Sequence, residues 1–323
     1  KGLLANDVER TPQRWVFVHI PKAAGASFMI DARHFITRRD TITGSEEKGA
    51  YSRTTLRKLE GEHGMRAILL RRPLQLVYSQ FLYCKHVLKG KVKDFPGHGQ
   101  DPAWVGVKEW SNGAKKVTAE WGPFWKCYDP RNVQFRFVVG EGSALTNKGV
   151  SSKISVDDAS RKLDGEFGLV GFVELYRESL CLLGWRATKQ VPSYFRCGAE
   201  GPLFGAKFPP TSTTHRGAYD SSLDKVPSSV QASLNKLVER DELLYLHGLF
   251  VFERAVKETG AQLVCPGKME RLWSSALRDA CRPSTSQYIR EHYNKSCPVV
   301  RKSLGQKVIE GVNAVVEHAL EVR

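Results

Sequence analysis

The sequence lacks any long apolar run. No stretch approaches the roughly 20 consecutive apolar residues that a membrane-spanning helix needs. The most apolar stretch, residues 243–252, is short and is interrupted by His247. The seven cysteines include no Cys-x-x-Cys pair, which argues against a zinc or redox centre. The chain also shows no internal repeat and no low-complexity block.

The composition is that of a basic, globular protein. Hydrophobic residues make up 41% and aromatic residues 10% of the 323 residues, which argues against disorder. The formal net charge of +15 indicates an acidic partner, but it does not choose among a polyanionic glycan, a nucleic acid, a nucleotide and a membrane surface. The chain begins at Lys1 rather than methionine, so we expect any membrane contact to need an N-terminal signal or anchor that is missing here.

A short stretch near the start predicts a strand, a tight loop and a helix. Residues 15–20 are apolar at nearly every position, as in a parallel strand that is covered on both faces. Pro21 ends the strand pairing, Gly25 lets the backbone turn closely, and Ser27 is expected to cap the helix. Backbone N–H groups at such a helix start, together with the charge of Lys22, predict a site for a phosphate- or sulfate-like anion.

A second unit of the same kind follows. Residues 65–70 predict another buried strand, which ends in Arg71-Arg72-Pro73 and leads into a helix over residues 74–88. Both units place basic residues at the carboxyl end of a strand. In open α/β sheets this is the edge where ligands bind.

The rest of the chain alternates between helical patterns and irregular segments. Residues 40–52 predict a polar loop centred on Glu46 and Glu47, and residues 169–173 predict a third strand. Residues of about 90–123 have no clear period, and we interpret their tryptophans as core rather than as a sugar-stacking platform. Helical patterns are predicted over residues 54–59, 155–163, 177–185, 226–259, 269–280 and 308–322.

The lysine loop departs from the phosphate loop of nucleoside triphosphatases, Gly-x-x-x-x-Gly-Lys-Ser/Thr. Lys22 precedes Gly25 instead of following it, and no second glycine opens the loop. No apolar strand ends in the aspartate that usually holds Mg²⁺. A P-loop-type nucleotide kinase or ATPase is therefore the weaker alternative.

Several segments resemble, in chain order, those of a known family. The order His19-Ile20-Pro21-Lys22-x-x-Gly25-x-Ser27 is similar to the 5′-phosphosulfate loop of the PAPS-dependent sulfotransferases of the Golgi carbohydrate (heparan 2-O/6-O-like) type. The segment from Leu70-Arg71-Arg72-Pro73 to Ser79 is similar to the family's 3′-phosphate segment. The later matches are Asn132-Val133-Gln134-Phe135-Arg136, Val170-Gly171-Phe172-Val173-Glu174 with Ser179-Leu180, and Asp241 with Leu243-Leu244-Tyr245. The resemblance covers residues of about 14–255.

The resemblance implies a fold and an activity. The fold is α/β: a P-loop-like three-layer fold with a central, mainly parallel sheet flanked by helices, plus a helical C-terminal extension. Residues 1–258 would form the sulfotransferase domain with the PAPS site, and residues 259–323 the extension packed on it. The activity would be in-line transfer of the sulfuryl group from PAPS to an acceptor hydroxyl, with PAP as product and no metal. We expect the hydroxyl to belong to a carbohydrate.

The resemblance also assigns cofactor-binding residues. Lys22 would stabilise the leaving phosphate oxygen, and the 5′-phosphosulfate would be held by the next five backbone amides, those of Ala23, Ala24, Gly25, Ala26 and Ser27. Arg71 and Ser79 would bind the 3′-phosphate through charge-assisted and hydroxyl hydrogen bonds. Arg216, in an irregular segment, is a further candidate for contact with the adenine or the 3′-phosphate.

The catalytic base stays open. Glu46 and Glu47 lie at the distance from Lys22 at which one branch of the superfamily has a base glutamate. His86 is the rival, since Cys84-Lys85-His86-Val87 is similar to the Arg-His-Val of 6-O-type enzymes. His34 and His63 are further candidates.

Three positions depart from the family's pattern. Arg72 replaces an aspartate, Leu76 an arginine and Phe135 a threonine. Heparan 2-O-type enzymes also have a histidine some two dozen residues before their Arg-Asp-Pro motif, and the corresponding region here, around Lys48 and Gly49, has none. These departures keep a second alternative open: a catalytically inactive polyanion-binding module on the same fold.

The expected partner is an acceptor glycan, acidic or not, and a small-molecule acceptor stays open; no nucleic acid is expected. Cys265, Cys281 and Cys297 could form a disulfide, and Asn294-Lys295-Ser296 is a glycosylation sequon. Together with the resemblance, these features predict a glycoprotein of the Golgi lumen.

Overall fold

The structure is a computed structural model, which describes the following residues: 14–36, 41–45, 64–86, 95–97, 99–115, 128–140, 154–189, 222–260, 263–265, 267–293 and 295. The helical patterns predicted at residues 54–59 and 308–322 lie outside them. So do four of the candidate site residues, Glu46, Glu47, His63 and Arg216.

Four strands of the described chain form an open parallel sheet. They are β1 (Arg14–Val18), β2 (Thr41–Ser45), β3 (Gly64–Leu70) and β4 (Phe167–Phe172). Their order is β2-β1-β3-β4, and all three neighbouring pairs are parallel. The prediction of an α/β protein with a parallel sheet is confirmed.

Burial explains why the central strands read as continuous apolar runs. Residues 15–18 of β1 are at most 3% exposed, and residues 67–70 of β3 are 0% exposed. Successive side chains of a strand point to opposite faces, so burial of every position means that both faces are covered.

The prediction of a loop over residues 40–52 is wrong at its start. Thr41–Ser45 is a strand, with Val18 of β1 paired to Ser45. Its sequence, Thr-Ile-Thr-Gly-Ser, has only one large apolar residue. Among the described strands β2 has a single neighbour, and an edge strand needs less apolar surface than a central one.

The described helices connect and surround these strands. They are α1 (Gly25–Asp31, continued by the 3-10 turn Ala32–His34), α2 (Pro73–His86), α3 (Val107–Lys115), α4 (Val133–Val139), α5 (Val156–Glu166), α6 (Tyr176–Thr188), α7 (Ser228–Asn235), α8 (Glu239–Glu258), α9 (Lys268–Ala280) and α10 (Pro283–Tyr293).

The long helix predicted over residues 226–259 is interrupted. The structure has α7 and α8 instead, separated by Lys236, Leu237 and Val238. Leu237 and Val238 are 2% and 0% exposed, so the apolar pattern continues through a turn that is itself buried. Periodicity alone could not detect the break.

Glycines show that helices cover both faces of the sheet at β4. A Cβ atom at Gly248 of α8 would lie 2.6 Å from Leu70 and 3.1 Å from Phe172. A Cβ atom at Gly171 of β4 would lie 2.8 Å from Ser179 of α6. Phe172 and Gly171 are consecutive and face opposite sides of the strand, so α8 and α6 pack on opposite faces.

A separate part of the core surrounds α2. Phe81 packs on Phe95 and on Trp110 of α3, with ring centroids 5.5 Å apart in both pairs. Trp110 is 1% exposed, so the prediction that the tryptophans of this segment are core is confirmed for this one. Helix α3 itself was not predicted, because its sequence mixes lysine, glycine and asparagine with few apolar residues.

The chain divides into two compact units, Lys1–Cys265 and Pro266–Arg323. The described part of the second unit consists of α9 and α10, where the rings of Trp273 and Tyr293 lie 6.2 Å apart. The function assigned to each part of the chain stays a prediction. None of the described helices is both long and apolar enough to cross a bilayer.

Four cysteines lie among the described residues. Cys84, Cys265 and Cys281 are disulfide-bonded, whereas Cys181 is a free, buried thiol. Because one disulfide joins two cysteines, three bonded cysteines require at least two disulfides.

Candidate functional site

The strand order places a switch point between β1 and β3. The chain runs from β1 to its neighbour β2 on one side, then crosses to β3 on the other side of β1. In open α/β sheets such a reversal opens a crevice at the carboxyl ends of the two strands, where ligands bind. Lys22 follows β1 and Arg71 follows β3 directly. The two basic residues singled out in the sequence therefore flank this crevice.

The loop after β1 is a tight turn with two left-handed residues. Lys22 has φ 69° and Ala24 φ 56°, both positive, which is uncommon for residues other than glycine. The amide of Ala23 donates to the Ile20 carbonyl at 3.1 Å. This amide is therefore engaged within the loop, which argues against its predicted role in holding a phosphosulfate.

Helix α1 begins earlier than expected, and the prediction that Ser27 caps it is wrong. Its N-cap is Ala24, which makes no side-chain cap, and Ser27 lies within the first turn. The first helical hydrogen bond runs from the Phe28 amide to the Ala24 carbonyl at 2.9 Å. The amides of Gly25, Ala26 and Ser27 precede that bond and have no acceptor within the helix. No acidic side chain lies in this turn.

The side chain of His19 packs against the loop after β1 at Gly25. A Cβ atom at Gly25 would lie only 1.9 Å from the imidazole Cδ2 of His19. The ring of Phe17 lies 5.7 Å from that imidazole and 4.7 Å from the ring of Phe28. Burial lowers the pKa of His19 to about 4, so this ring is neutral at pH 7. His19 is therefore a packing residue, not a charge at the site.

The last turns of α2 lie against the loop. The side-chain amide of Gln80 donates to the Pro21 carbonyl at 3.3 Å. The Lys22 ammonium nitrogen lies 4.6 Å from the centroid of the Tyr83 ring, a cation–π contact. The ring of Tyr128 lies 5.9 Å from that of Tyr83. The lysine therefore lies against Tyr83, which is three residues beyond Gln80 on α2, and Tyr128 packs near Tyr83.

Arg71 joins its own segment to the lysine loop. Its guanidinium Nη1 donates to the Lys22 carbonyl at 2.8 Å. Its backbone is fixed by Gln134, which accepts from the Arg71 amide and donates to the Arg71 carbonyl, both at 2.9 Å. Burial lowers the pKa of Arg71, and the charge of Glu174 opposes that shift.

Glu174, which follows β4, holds the next residue. Its Oε1 accepts from the Arg72 amide at 2.8 Å, and its Oε2 accepts from the hydroxyl of Tyr245 at 3.1 Å. Burial raises the pKa of Glu174. Both oxygens bind neighbouring groups of the protein, so the carboxylate caps the turn after β3.

The glycine and the serine near Glu174 also have structural roles. The Ser179 hydroxyl accepts from the Phe172 amide and donates to the Leu175 carbonyl, both at 2.8 Å. Gly171 leaves the space into which Ser179 packs. These contacts fix the turn between β4 and α6, and hence the position of Glu174.

Helices α4 and α8 cap each other's N-termini. The carboxylate of Asp241, in the first turn of α8, accepts from the amides of Gln134 at 3.2 Å and Phe135 at 2.7 Å. In return Asn132, the N-cap of α4, accepts from the amides of Arg240 at 3.0 Å and Asp241 at 3.4 Å. This double cap fixes the start of α4, from which the Gln134 side chain bonds to the backbone of Arg71.

The remaining predicted residues have the following positions. Ser79 lies partly exposed on α2, and Leu76, on the same helix, is 0% exposed. His86 is the last residue of α2 and lies one helical turn beyond Tyr83, on a neighbouring part of the helix surface. His34, also described, ends the 3-10 turn after α1.

Sequence reasoning missed Gln80 and Tyr83, and it assigned no contact to Gln134. The spacing of Gln80 and Tyr83, three residues apart on a predicted helix, was the available signal. Nothing in the sequence indicated which side of that helix faces the loop.

Within the described residues, no group of three His, Cys, Asp or Glu side chains could hold a metal ion. Comparison with models of known families, with curated protein sequences and with solved structures gives no match for this chain.

Proposed function

We propose that this protein is a sulfotransferase that moves the sulfuryl group of PAPS to a hydroxyl group of a carbohydrate. Its cofactor site would be the switch point between β1 and β3, on a P-loop-like fold. The observation that carries the proposal is the hydrogen bond from the Arg71 guanidinium to the Lys22 carbonyl, 2.8 Å long across 49 residues of sequence. It joins the two segments that resemble the family's 5′- and 3′-phosphate segments.

The chemistry needs positive charge and fixed N–H donors rather than a covalent catalyst. The acceptor oxygen forms a bond to sulfur while the bond from sulfur to the bridging phosphate oxygen breaks. The acceptor proton goes to a base, and PAP leaves with the negative charge of the bridging oxygen. As in phosphoryl transfer, the main contributions are positioning and electrostatic stabilisation of the transferring group.

Lys22 is the residue proposed to stabilise that leaving oxygen. Its ammonium lies over the Tyr83 ring, and an ammonium group carries three N–H donors that suit an anion. The amides of Gly25, Ala26 and Ser27 would bind the phosphosulfate. Ala23 is left out because its amide already donates to Ile20.

Arg71 would bind the 3′-phosphate through its guanidinium, a planar fork with five N–H donors that matches the geometry of a phosphate. Ser79, partly exposed on α2, would add its hydroxyl, and Arg216 stays a proposed contact.

Two positions are proposed for the base. His86 is supported by its place one turn beyond Tyr83, whose ring holds Lys22. Glu46 and Glu47 are supported by Ser45, the residue before them, which pairs with Val18 at the carboxyl end of β1.

The bonded cysteines support a compartment. Disulfides persist in oxidising surroundings such as the secretory pathway. The three bonded cysteines, which require at least two disulfides, therefore favour the lumen of the Golgi as the place where the protein works.

The test is transfer of radiolabelled sulfate from PAPS to a panel of polysaccharides, tyrosine peptides and small alcohols. Lys22→Ala should lower the rate at least about 100-fold, as the loss of a donor to the transition-state charge does elsewhere. Its thermal midpoint should stay that of the wild type. The control is Lys257→Ala, which removes a lysine whose side chain is 75% exposed and pairs with Glu253; it should keep full activity.

Other outcomes would contradict the proposal in different ways. Full activity of Lys22→Ala excludes the assigned role of the lysine. Mg²⁺-dependent ATP turnover, without a thermal shift on adding PAP, favours a nucleotide kinase or ATPase. A PAP-induced shift and salt-sensitive glycan binding, without transfer to any acceptor, favour the inactive polyanion-binding module. In an active protein, His86→Asn compared with Glu46→Gln and Glu47→Gln identifies the base.

A further inference from the structure

A cavity of about 360 Å³ lies in the first unit, among residues that the proposed cofactor site does not use. Its walls come from the turn before α3, the first turn of α3 and the first turn of α7. The residues that matter for its chemistry are Trp104, Lys108, Glu109, Pro227, Ser229 and Val230. Its volume falls at the small end of the roughly 300–1,000 Å³ typical of ligand pockets.

The cavity combines an aromatic wall with a polar rim. Trp104 is half-buried and packs on the core cluster around α2, and Val230 is 3% exposed beneath it. Lys108, Glu109 and Ser229 are exposed and bring an ammonium, a carboxylate and a hydroxyl to the same opening. Such a site suits a ligand with one apolar face and hydroxyl groups around its edge.

The charges at the rim determine what kind of sugar would fit. One ammonium and one carboxylate, contributed by consecutive residues, leave no net charge at the opening. A sulfated or carboxylated chain would meet the Glu109 carboxylate as well as Lys108. An uncharged pyranose fits better, because its hydroxyls can donate to the carboxylate and accept from the ammonium.

Trp104 is held in place by an unusual buried charge. The Lys85 side chain is 0% exposed, and its ammonium donates to the carbonyls of Ala103 at 3.0 Å and Val105 at 3.2 Å, on either side of Trp104. It also donates to the Gln100 carbonyl at 2.9 Å. Burial lowers the pKa of Lys85, and the charge of Asp101 opposes that shift.

Two glycines close the same turn. Gly97 and Gly106 have φ values of 72° and 93°. A Cβ atom would lie 2.0 Å from the Val105 carbonyl oxygen in the first case and 2.4 Å from the backbone of Pro96 in the second. The backbone on either side of Trp104 is therefore fixed before any ligand binds, which lowers the entropy cost of binding.

We propose that this cavity binds an uncharged pyranose unit, with the ring stacked on Trp104 and its hydroxyls at Lys108, Glu109 and Ser229. That the sugar belongs to the acceptor glycan rests on the proposed function. Binding of the sugar itself does not.

The experiment measures saturation-transfer NMR signals of the methyl glycosides of glucose, galactose, mannose and N-acetylglucosamine with the full chain. At least one glycoside should bind, and Trp104→Ala should weaken its binding at least about tenfold, as loss of a stacking aromatic implies. Trp104→Phe, which keeps a ring, should retain most of the binding. Trp185→Ala removes a tryptophan that does not line the cavity and should bind like the wild type.

A second variant guards against a folding defect in Trp104→Ala. Ser229→Trp fills the cavity from an exposed helix position and should abolish binding while the thermal midpoint is kept. The proposal is overturned if no glycoside binds, if Trp104→Ala and Ser229→Trp both bind as the wild type does, or if only a heparin oligosaccharide binds.

The thermal shift with PAP separates the two proposals. Glycoside binding without a PAP shift contradicts the sulfotransferase alone, and a PAP shift without glycoside binding contradicts the sugar site alone.

Discussion

The imidazole ring of His19 occupies the space that a side chain at position 25 would need. Gly25 is the first residue of α1 and has helical backbone angles, so a positive φ is not the reason for glycine here. The reason is contact, since a Cβ atom would lie 1.9 Å from the ring. His19 and Gly25, which both belong to the family-like motif, thus have a packing role. The same packing buries the imidazole of His19 and lowers its pKa.

This histidine makes the loop sensitive to acid. The folded pKa of His19 is about 4, against 6.5 for an exposed histidine, because burial disfavours the charged ring. A depressed folded pKa gives stability that is fully present above pH 6.5 and is lost as the pH falls towards 4. We therefore expect the stability advantage of the wild type over His19→Asn to shrink by about 3 kcal/mol between pH 7 and pH 4.

Urea unfolding of both proteins across this pH range provides the measurement. The comparison between the two is essential, because Asp241 has the opposite effect. Burial raises the pKa of Asp241 to about 7, so its contribution to stability falls as the pH rises through the same range. Taking the difference between wild type and variant cancels the Asp241 contribution. A difference that stays constant with pH would show that His19 is not buried as described.

At the level of single residues, the sequence predicted which basic residues lie near the site, but it did not predict which side chains contact them. Lys22 and Arg71 could be selected because each follows an apolar strand, and strand ends of a parallel sheet meet at one edge. The partners of Arg71 lie 49 and 63 residues away along the chain. Tyr83 contacts Lys22, but it lies in an ordinary helical pattern from which this contact could not be predicted.

At the level of elements, the junction of α4 and α8 explains two of the family-like segments structurally. Asn132 and Asp241 belong to different segments, yet each satisfies amides at the start of the other's helix. Both contacts hold the start of α4, where Gln134 lies, and Gln134 in turn fixes the backbone of Arg71. These residues position the site, and nothing in their geometry requires contact with a ligand.

Loss of this double cap should be costly. Asp241 is 0% exposed, so Asp241→Ala leaves two buried amides without their acceptor and should lower the free energy of unfolding by roughly 3 kcal/mol. Asn132→Gly removes the acceptor of the Arg240 and Asp241 amides but keeps the left-handed backbone at φ 45°, and should cost about 1 kcal/mol. Because both caps hold one junction, the double variant should lose less than the sum of the two.

Ser155→Ala is the matched control for this series. Ser155 caps α5 in an exposed capping box with Asp158, so its loss should cost about 1 kcal/mol and should add independently to Asp241→Ala. Chemical denaturation of the wild type, the three single variants and the two double variants with Asp241→Ala gives all of these values. If Asp241→Ala unfolds within about 0.5 kcal/mol of the wild type, the junction does not have the importance assigned to it.

Elements could be predicted where burial imposes a period, and not elsewhere. The strands β1, β3 and β4 and the helices α2, α5, α6 and α9 were found close to their observed ends. The edge strand β2 and the helix α3 were missed, since neither has enough apolar residues to show a period. The break between α7 and α8 was missed for the opposite reason, because Leu237 and Val238 are buried in the turn itself. Helix α4 was missed because all seven of its residues are buried, so that no period is visible, and α10 was not predicted either.

At the scale of the first unit, one helix links the two proposed sites. Tyr83, Cys84 and Lys85 are consecutive in α2 and point about 100° apart around the helix axis. Tyr83 contacts the lysine loop, Cys84 is disulfide-bonded, and Lys85 holds the turn that carries Trp104. A covalent bond therefore holds the helix between the proposed cofactor site and the proposed sugar site.

Reduction of the disulfides should consequently loosen the molecule. A disulfide typically contributes about 2–4 kcal/mol, so removing at least two should lower the thermal midpoint by roughly 10 °C. Iodoacetamide labelling followed by mass spectrometry identifies the cysteines involved. Cys181, which is 2% exposed and whose thiol pKa is raised by burial, should be labelled only after unfolding. Cys84, Cys265 and Cys281 should also require a reductant. Labelling of Cys84 in the unfolded, unreduced protein would contradict its bond to another cysteine, and labelling of all three would remove the argument for an oxidising compartment.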